Sequence, residues 1–270
     1  MDLAVLTATF KRNFIIQLRA YPKHFFVGNL LTGLYTAIYT FFMYHLFFRG
    51  NTKVSFANLT GTTDYMSFVI VGTAVYLYVV RTALNVSRSL ITELREGTLE
   101  SLMMAPFKRV QYFLGNMLQQ VLTTSGEVLI MVLLSIPFGL RFSNFNLLSF
   151  LFSFIVSLYA FFSISILLAC VMLYSRDTYI SQNTLFALIF LLCGITFPIQ
   201  YLPDWAQCIA KLIPVTDAVI LIRNAVLLGN SIEMQFERLL YLVSISTFYT
   251  LIGFQLLRKI ELIALEKIHG

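Results

Sequence analysis

Charge is scarce in this chain: Asp, Glu, Lys and Arg supply 12% of its 270 residues, where soluble proteins carry about 25%. A water-solvated globular domain is therefore excluded. Cysteine is limited to Cys170, Cys193 and Cys208, two of them inside apolar runs; no disulfide framework and no metal spacing follow from that pattern. The three histidines (His24, His45 and His269) lie far apart, with no acidic or cysteine neighbour at ligand spacing. No nucleophile–base arrangement is evident, so the chain is not expected to be an enzyme. A Gly-x-x-x-x-Gly-Lys-[Ser/Thr] phosphate loop is missing as well, and any nucleotide chemistry would belong to a partner. No small-residue cleavage site follows the first long apolar run, so no cleavable signal is expected. Internal repeats and low-complexity segments are not visible.

What is plentiful is apolar surface. Hydrophobic residues reach 58% and the mean hydropathy is +0.80. Since each crossing takes ~20 mostly apolar residues, the pattern predicts an all-α integral membrane protein forming one transmembrane domain over 1–270. Six spans are expected at 25–48, 64–84, 111–140, 147–174, 180–198 and 239–257. A polar loop is expected over 49–63. The third span is expected to break near Gly126-Glu127 and again at Pro137. Ahead of the first span, 1–24 reads as an amphipathic helix in the membrane interface: Leu3, Leu6, Phe10, Phe14, Leu18 and Tyr21 share a face, and Lys11, Arg12 and Arg19 lie off its centre. Between the last two spans, 199–228 holds apolar pieces too short to cross, interrupted by Pro203 and Pro214 just after Pro198. These read as short re-entrant or interfacial outer helices, with the sole tryptophan, Trp205, as an interfacial anchor.

An even number of spans puts both termini on one side. Most of the 19 lysines and arginines then fall on that side, which predicts cytoplasmic N- and C-termini in the cytoplasmic (inner or plasma) membrane. The net charge of +6 is read as this bias, with membrane lipid as the partner and no nucleic acid.

That topology makes 92–106 cytoplasmic. The segment is the most charge-dense of the chain, and Glu93, Glu96 and Glu100 fall in one arc of a helical wheel opposite Ile91, Leu94, Leu99, Leu102 and Met103. Gly97 reads as a left-handed helix terminus and Thr98 as the N-cap of a second, short helix. Glu100 lies in its first turn, where the dipole favours a carboxylate, and Pro106 ends it. The run Glu93-x-x-Glu96-Gly97-Thr98-Leu99-Glu100-x-Leu102-x-x-x-Pro106 resembles the coupling segment of ABC exporter permeases of the second type, which include drug, lipid and polysaccharide exporters. Pro198-x-x-x-x-Pro203-x-Trp205 is similar to the outer pattern of the same family, although Ile213-Pro214 stands where the family carries Asn-Pro or similar.

The resemblance implies a six-span permease subunit with a cytoplasmic coupling helix. It implies a second permease protomer, as homodimer or heterodimer, and two copies of a separate ABC ATPase subunit binding ATP and Mg; no cofactor is expected in this chain. The cargo expected from the aromatic, apolar spans is amphipathic, lipid-linked or drug-like. Glu93, Glu96 and Glu100 would pair with the ATPase, while Leu99 and Leu102 would anchor the helix in its groove.

Two further features carry open readings. Glu127 falls mid-span, where an ionised carboxylate costs ~2.5 kcal/mol or more. It is either a substrate- or proton-interacting group or a structural hydrogen-bonding group facing a neighbouring span or protomer. On the first span Tyr35, Tyr39 and Phe42 recur at helical spacing, as a substrate path or as packing. The rival reading is an ATP-independent proton-coupled carrier using Glu127, for which repeated halves and helices broken near midplane would be expected.

Overall fold

The computed structural model describes residues 3–20, 22–47, 54–104, 108–142, 144–175 and 178–269. The described residues are almost wholly helical: α1 (Leu3–Ala20), α2 (Pro22–Phe47), α3 (Val54–Thr60), α4 (Tyr65–Arg95), α5 (Leu99–Met104), α6 (Arg109–Ser135), α7 (Leu147–Ser175), α8 (Tyr179–Leu192), α9 (Asp204–Leu212), α10 (Pro214–Arg223) and α11 (Ile232–His269). Two helices form the middle of the bundle. α4 starts on Asp64, whose carboxylate accepts the Ser67 N–H at 3.1 Å, and it packs against α7 on one side and α6 on the other. α11 lies along α7, and α1 and α2 lie along α6.

Small residues set the closeness of the central contacts. Ser149, Ser153, Ser157 and Ala160 are buried on α7. Their hydroxyls are short enough to bond back to the helix, as Ser157 Oγ does to the Ser153 carbonyl at 2.6 Å. Where α11 crosses α7, a Cβ on Gly253 would stand 2.9 Å from Ile166 Cγ2. Without water to expel between helices, such close backbone approach supplies the packing energy in a bilayer.

Four helices are long and apolar enough to cross a membrane: Tyr65–Arg95, Arg109–Phe138, Leu147–Ser175 and Ile232–Glu261. A fifth results if Asp204–Leu212 and Pro214–Leu228, bent by 89° at Pro214, count as one crossing. α2 is 26 residues long.

Several expectations change. α8 has only 14 residues and stops well short of Pro198, because the chain turns at Cys193 and Gly194 takes a φ of +71°. The expected break at Gly126-Glu127 does not occur; α6 runs through it unbroken to Ser135. Gly126 has nothing near its missing Cβ, so the helix loses little there. Pro137 does interrupt the helix, with a 3-10 turn closed by Gly139 at φ +104°. The expected polar loop 49–63 carries α3, and α11 extends beyond 239–257 at both ends.

Candidate functional site

The end of α4 is built around one carboxylate. Glu93 is buried and accepts from Arg12 Nη2 at 3.0 Å and Tyr112 Oη at 3.1 Å. Its other oxygen accepts from the Thr98 hydroxyl, which also reaches the Glu93 backbone carbonyl at 3.3 Å. One side chain thus ties α1, α4, α6 and the turn before α5. Partial burial opposes the Arg12 charge, but the hydrogen bond and charge of Glu93 outweigh it and raise the Arg12 pKa.

This corrects the expected acidic face. Glu93 does not stand with Glu96 and Glu100 but faces inward, because the turn at Gly97 (φ +74°) folds Thr98 back over it. Thr98 does sit ahead of α5, its carbonyl accepting the Leu102 N–H at 3.0 Å, while its hydroxyl serves Glu93. Leu99, expected to anchor in a partner groove, is instead 1% exposed and packs in this chain's own core beside Leu90 and Phe113, with Leu102 partly buried against the same cluster. Glu96 and Gly97 are exposed and Glu100 is half-buried. Pro106 lies outside the described residues.

Beyond Glu93, a chamber of about 810 Å³ opens between α1, α2, α4 and α6. Its deep end is closed by Arg81 and Glu127, paired through two hydrogen bonds of 2.8 and 3.1 Å. Glu127 is 3% exposed and Arg81 40%, so the carboxylate is the buried partner and the guanidinium borders the space. A bidentate pair of this kind is the strong form of the interaction. Carboxamides line the walls: Asn13 donates to Asn116 at 2.6 Å, and Asn85 donates to Gln119 and Gln120 at 3.1 and 2.9 Å. Arg88 also borders the chamber and donates from Nε to Gln182 of α8 at 3.0 Å. The aromatic stripe is elsewhere. Tyr35, Tyr39 and Phe42 are exposed on the outer face of α2, Tyr35 at 70%, and the structure does not bring them to Glu127; α2 offers Gly28 and Thr32 to the chamber instead.

At the other end of α4, Arg223 is buried and spans three carbonyls: Phe68 at 3.1 Å, Gly194 at 2.6 Å and Ile195 at 2.6 Å. Its guanidinium carbon lies 3.5 Å from the centre of the Phe68 ring. The clamp joins α4 and the turn after α8 to the bent pair α9–α10. Gly72 makes room for it, since a Cβ there would lie 2.0 Å from Arg223 Nη2 and 2.3 Å from the Ile195 carbonyl oxygen.

A family model described as ABC-2 type transporter matches residues 5–227. The chain belongs to the ABC-2 type transporter family. It is a multi-pass membrane protein and a transport subunit, not a catalytic one; membrane domains of this family generally pair with ABC ATPase subunits. No curated protein matches it. Sequence reasoning about this ABC-2 permease reached Glu93, Glu127 and the turn at Gly97–Thr98. It passed over Arg223, counted only as an outer basic residue, and over Asn85, Asn116, Gln119 and Gln120. The signal for the carboxamides was present: α6 carries Tyr112, Asn116, Gln119, Gln120 and Thr123 at three- and four-residue spacing inside an apolar run.

Proposed function

We propose that this chain is the transmembrane subunit of an ATP-driven exporter. It works as a dimer with two ATPase subunits and moves an amphipathic cargo outward across the cytoplasmic membrane. The bundle has six crossings in this reading, α8 and the bent pair completing the count, with both termini cytoplasmic. The observation that carries the proposal is the turn Glu96–Gly97–Thr98 and the helix α5 at the end of α4. Glu96 is exposed there, while the backbone beneath is pinned through Glu93 to α1 and α6. An ATPase docking on that turn pushes on a braced element, and the force passes to three helices.

The docking face is narrower than the sequence implied. Glu96 and Glu100 meet the partner; Glu93 and Leu99 hold the turn in shape from inside. ATP and Mg bind in the partner, and the ATP-bound pair closes and moves the turns of both protomers. A proton-carrier role for Glu127 would need a carboxylate free to exchange its proton, and the guanidinium of Arg81 engages both oxygens.

The test is gentle purification of the tagged chain from native membranes, with identification of stoichiometric companions. An ATPase with a phosphate loop is expected, and its recovery falls sharply for the Glu96→Ala/Glu100→Ala double variant. Recovery of the chain alone, with transport intact in vesicles lacking ATP, overturns the proposal.

A further inference from the structure

The chamber does not stand alone. A second space, about 330 Å³ with no polar lining, lies between α4, α6, α7 and α10 and is bordered by Ile70, Ala74, Tyr78, Val132, Phe145 and Phe154. The two spaces share one face of α4. Ile70, Ala74 and Tyr78 border the groove, and Arg81, Asn85, Arg88 and Thr92 border the chamber. These positions are three or four residues apart throughout, so they form a single stripe along the helix. The chemistry changes abruptly at Tyr78, whose hydroxyl bonds Ser125 at 2.9 Å, one turn from the Arg81–Glu127 pair. From Ala74 to Asn85 the rise is about 16 Å, the scale of a medium alkyl chain.

The lining also defines the polar end of a ligand. Arg12 and Arg81 are each neutralised by a carboxylate of the same wall, Glu93 and Glu127. Arg88 is held by the Gln182 carbonyl and lies over the Tyr179 ring, and Glu96 borders the chamber with the opposite charge. A charged headgroup would have to displace one of these internal pairs. Carboxamides both donate and accept, as hydroxyl groups do, and Asn85, Asn116, Gln119 and Gln120 supply four of them to one space.

We infer that chamber and groove form one binding site for an amphiphile with an uncharged polyhydroxylated headgroup, its sugar-like end among the carboxamides and its alkyl chain in the groove. The inference rests on the permease reading and narrows its cargo; the binding itself needs no ATPase.

The test is photolabelling of the full-length chain in lipid nanodiscs without any ATPase, using a decyl glucoside that carries a diazirine at the chain terminus. Saturable labelling is expected on the stretch of α4 from Ile70 to Tyr78 or on Phe150–Phe154 of α7. Excess decyl glucoside should displace it, and decyl phosphate or decyltrimethylammonium should not. Ala74→Phe, which fills the groove, and Gln120→Leu, which removes a polar wall group, should each weaken labelling about tenfold while the thermal unfolding midpoint stays close to wild type. If Ala74→Phe does not fold, Val128→Phe blocks the same groove from α6. Labelling that is non-saturable or spread over all lipid-facing helices overturns the inference. So does labelling that the folded variants leave unchanged, or that decyl phosphate displaces equally well. Any of these results leaves ATPase assembly standing, and loss of ATPase assembly would leave the binding standing.

Discussion

Replacing Gly72 by alanine should separate packing from helix propensity. In an open helix interior alanine is preferred to glycine by about 1 kcal/mol. Here the added methyl would lie 2.0 Å from Arg223 Nη2 and 2.3 Å from the Ile195 carbonyl oxygen. The oxygen belongs to backbone and cannot rotate away, so α4 and the turn after α8 must move apart. Overpacking of this kind costs about 1–3 kcal/mol. A guanidinium pushed from buried carbonyls adds about 1–3 kcal/mol for each group left unpaired. Set against the propensity gain, the net loss is about 2–4 kcal/mol, or a fall of about 5–10 °C in Tm for a chain of this size. The assay is thermal unfolding of the purified protein in detergent, followed by fluorescence size-exclusion after heating. Gly126→Ala is the control, because a Cβ at Gly126 meets nothing within 4 Å; it should equal or exceed wild type. Equal Tm values for Gly72→Ala and wild type would refute the argument that Arg223 is clamped against α4.

Arg81→Met strands the buried Glu127 carboxylate and should destabilise the chain by about 3 kcal/mol, and adding Glu127→Gln should restore most of it; additive losses in a double-mutant cycle would mean that the pair does not interact. Glu93→Ala leaves the Tyr112 hydroxyl and Thr98 without their shared acceptor and should cost about 1–3 kcal/mol, seen as lower Tm and easier proteolysis at the turn near Gly97; unchanged proteolysis contradicts the brace. Cys208 on α9 is exposed while Cys170 and Cys193 are buried, so maleimide should modify Cys208 alone in the folded protein. With the proposed orientation an impermeant maleimide reaches it from outside the cell, and labelling only in inside-out vesicles would reverse the topology.

The helical membrane character was legible because apolar runs of crossing length have no other stable use. The turn at Gly97 was legible too, since a glycine between two helical patterns is a local signal. Glu93 was misplaced for a physical reason: a wheel assumes one continuous helix, and the turn at Gly97 rotates everything after it. The same turn carried Leu99 into this chain's core. Arg223 could not be read from its neighbours, because its partners lie at Phe68, Gly194 and Ile195 and only the bend at Pro214 brings them within reach. The chamber was half-legible, as carboxamides at helical spacing mark a polar face, but which helices would share that face depends on the packing of α1, α2 and α4 around α6.

α4 has a mechanical consequence. No proline interrupts it between Tyr65 and Arg95, so it behaves as one rod held at two points, by Glu93 near one end and by Phe68 against Arg223 near the other. Those points are about 38 Å apart along the axis. A tilt of about 5° about the midpoint shifts each of them by roughly 1.7 Å in opposite senses, enough to open hydrogen bonds that start near 3 Å. A small displacement of the turn at Gly97 is therefore delivered, reversed in direction, to the clamp at the far end of the bundle, and the Arg81–Glu127 pair between them sits close to the fulcrum, where the rod hardly moves.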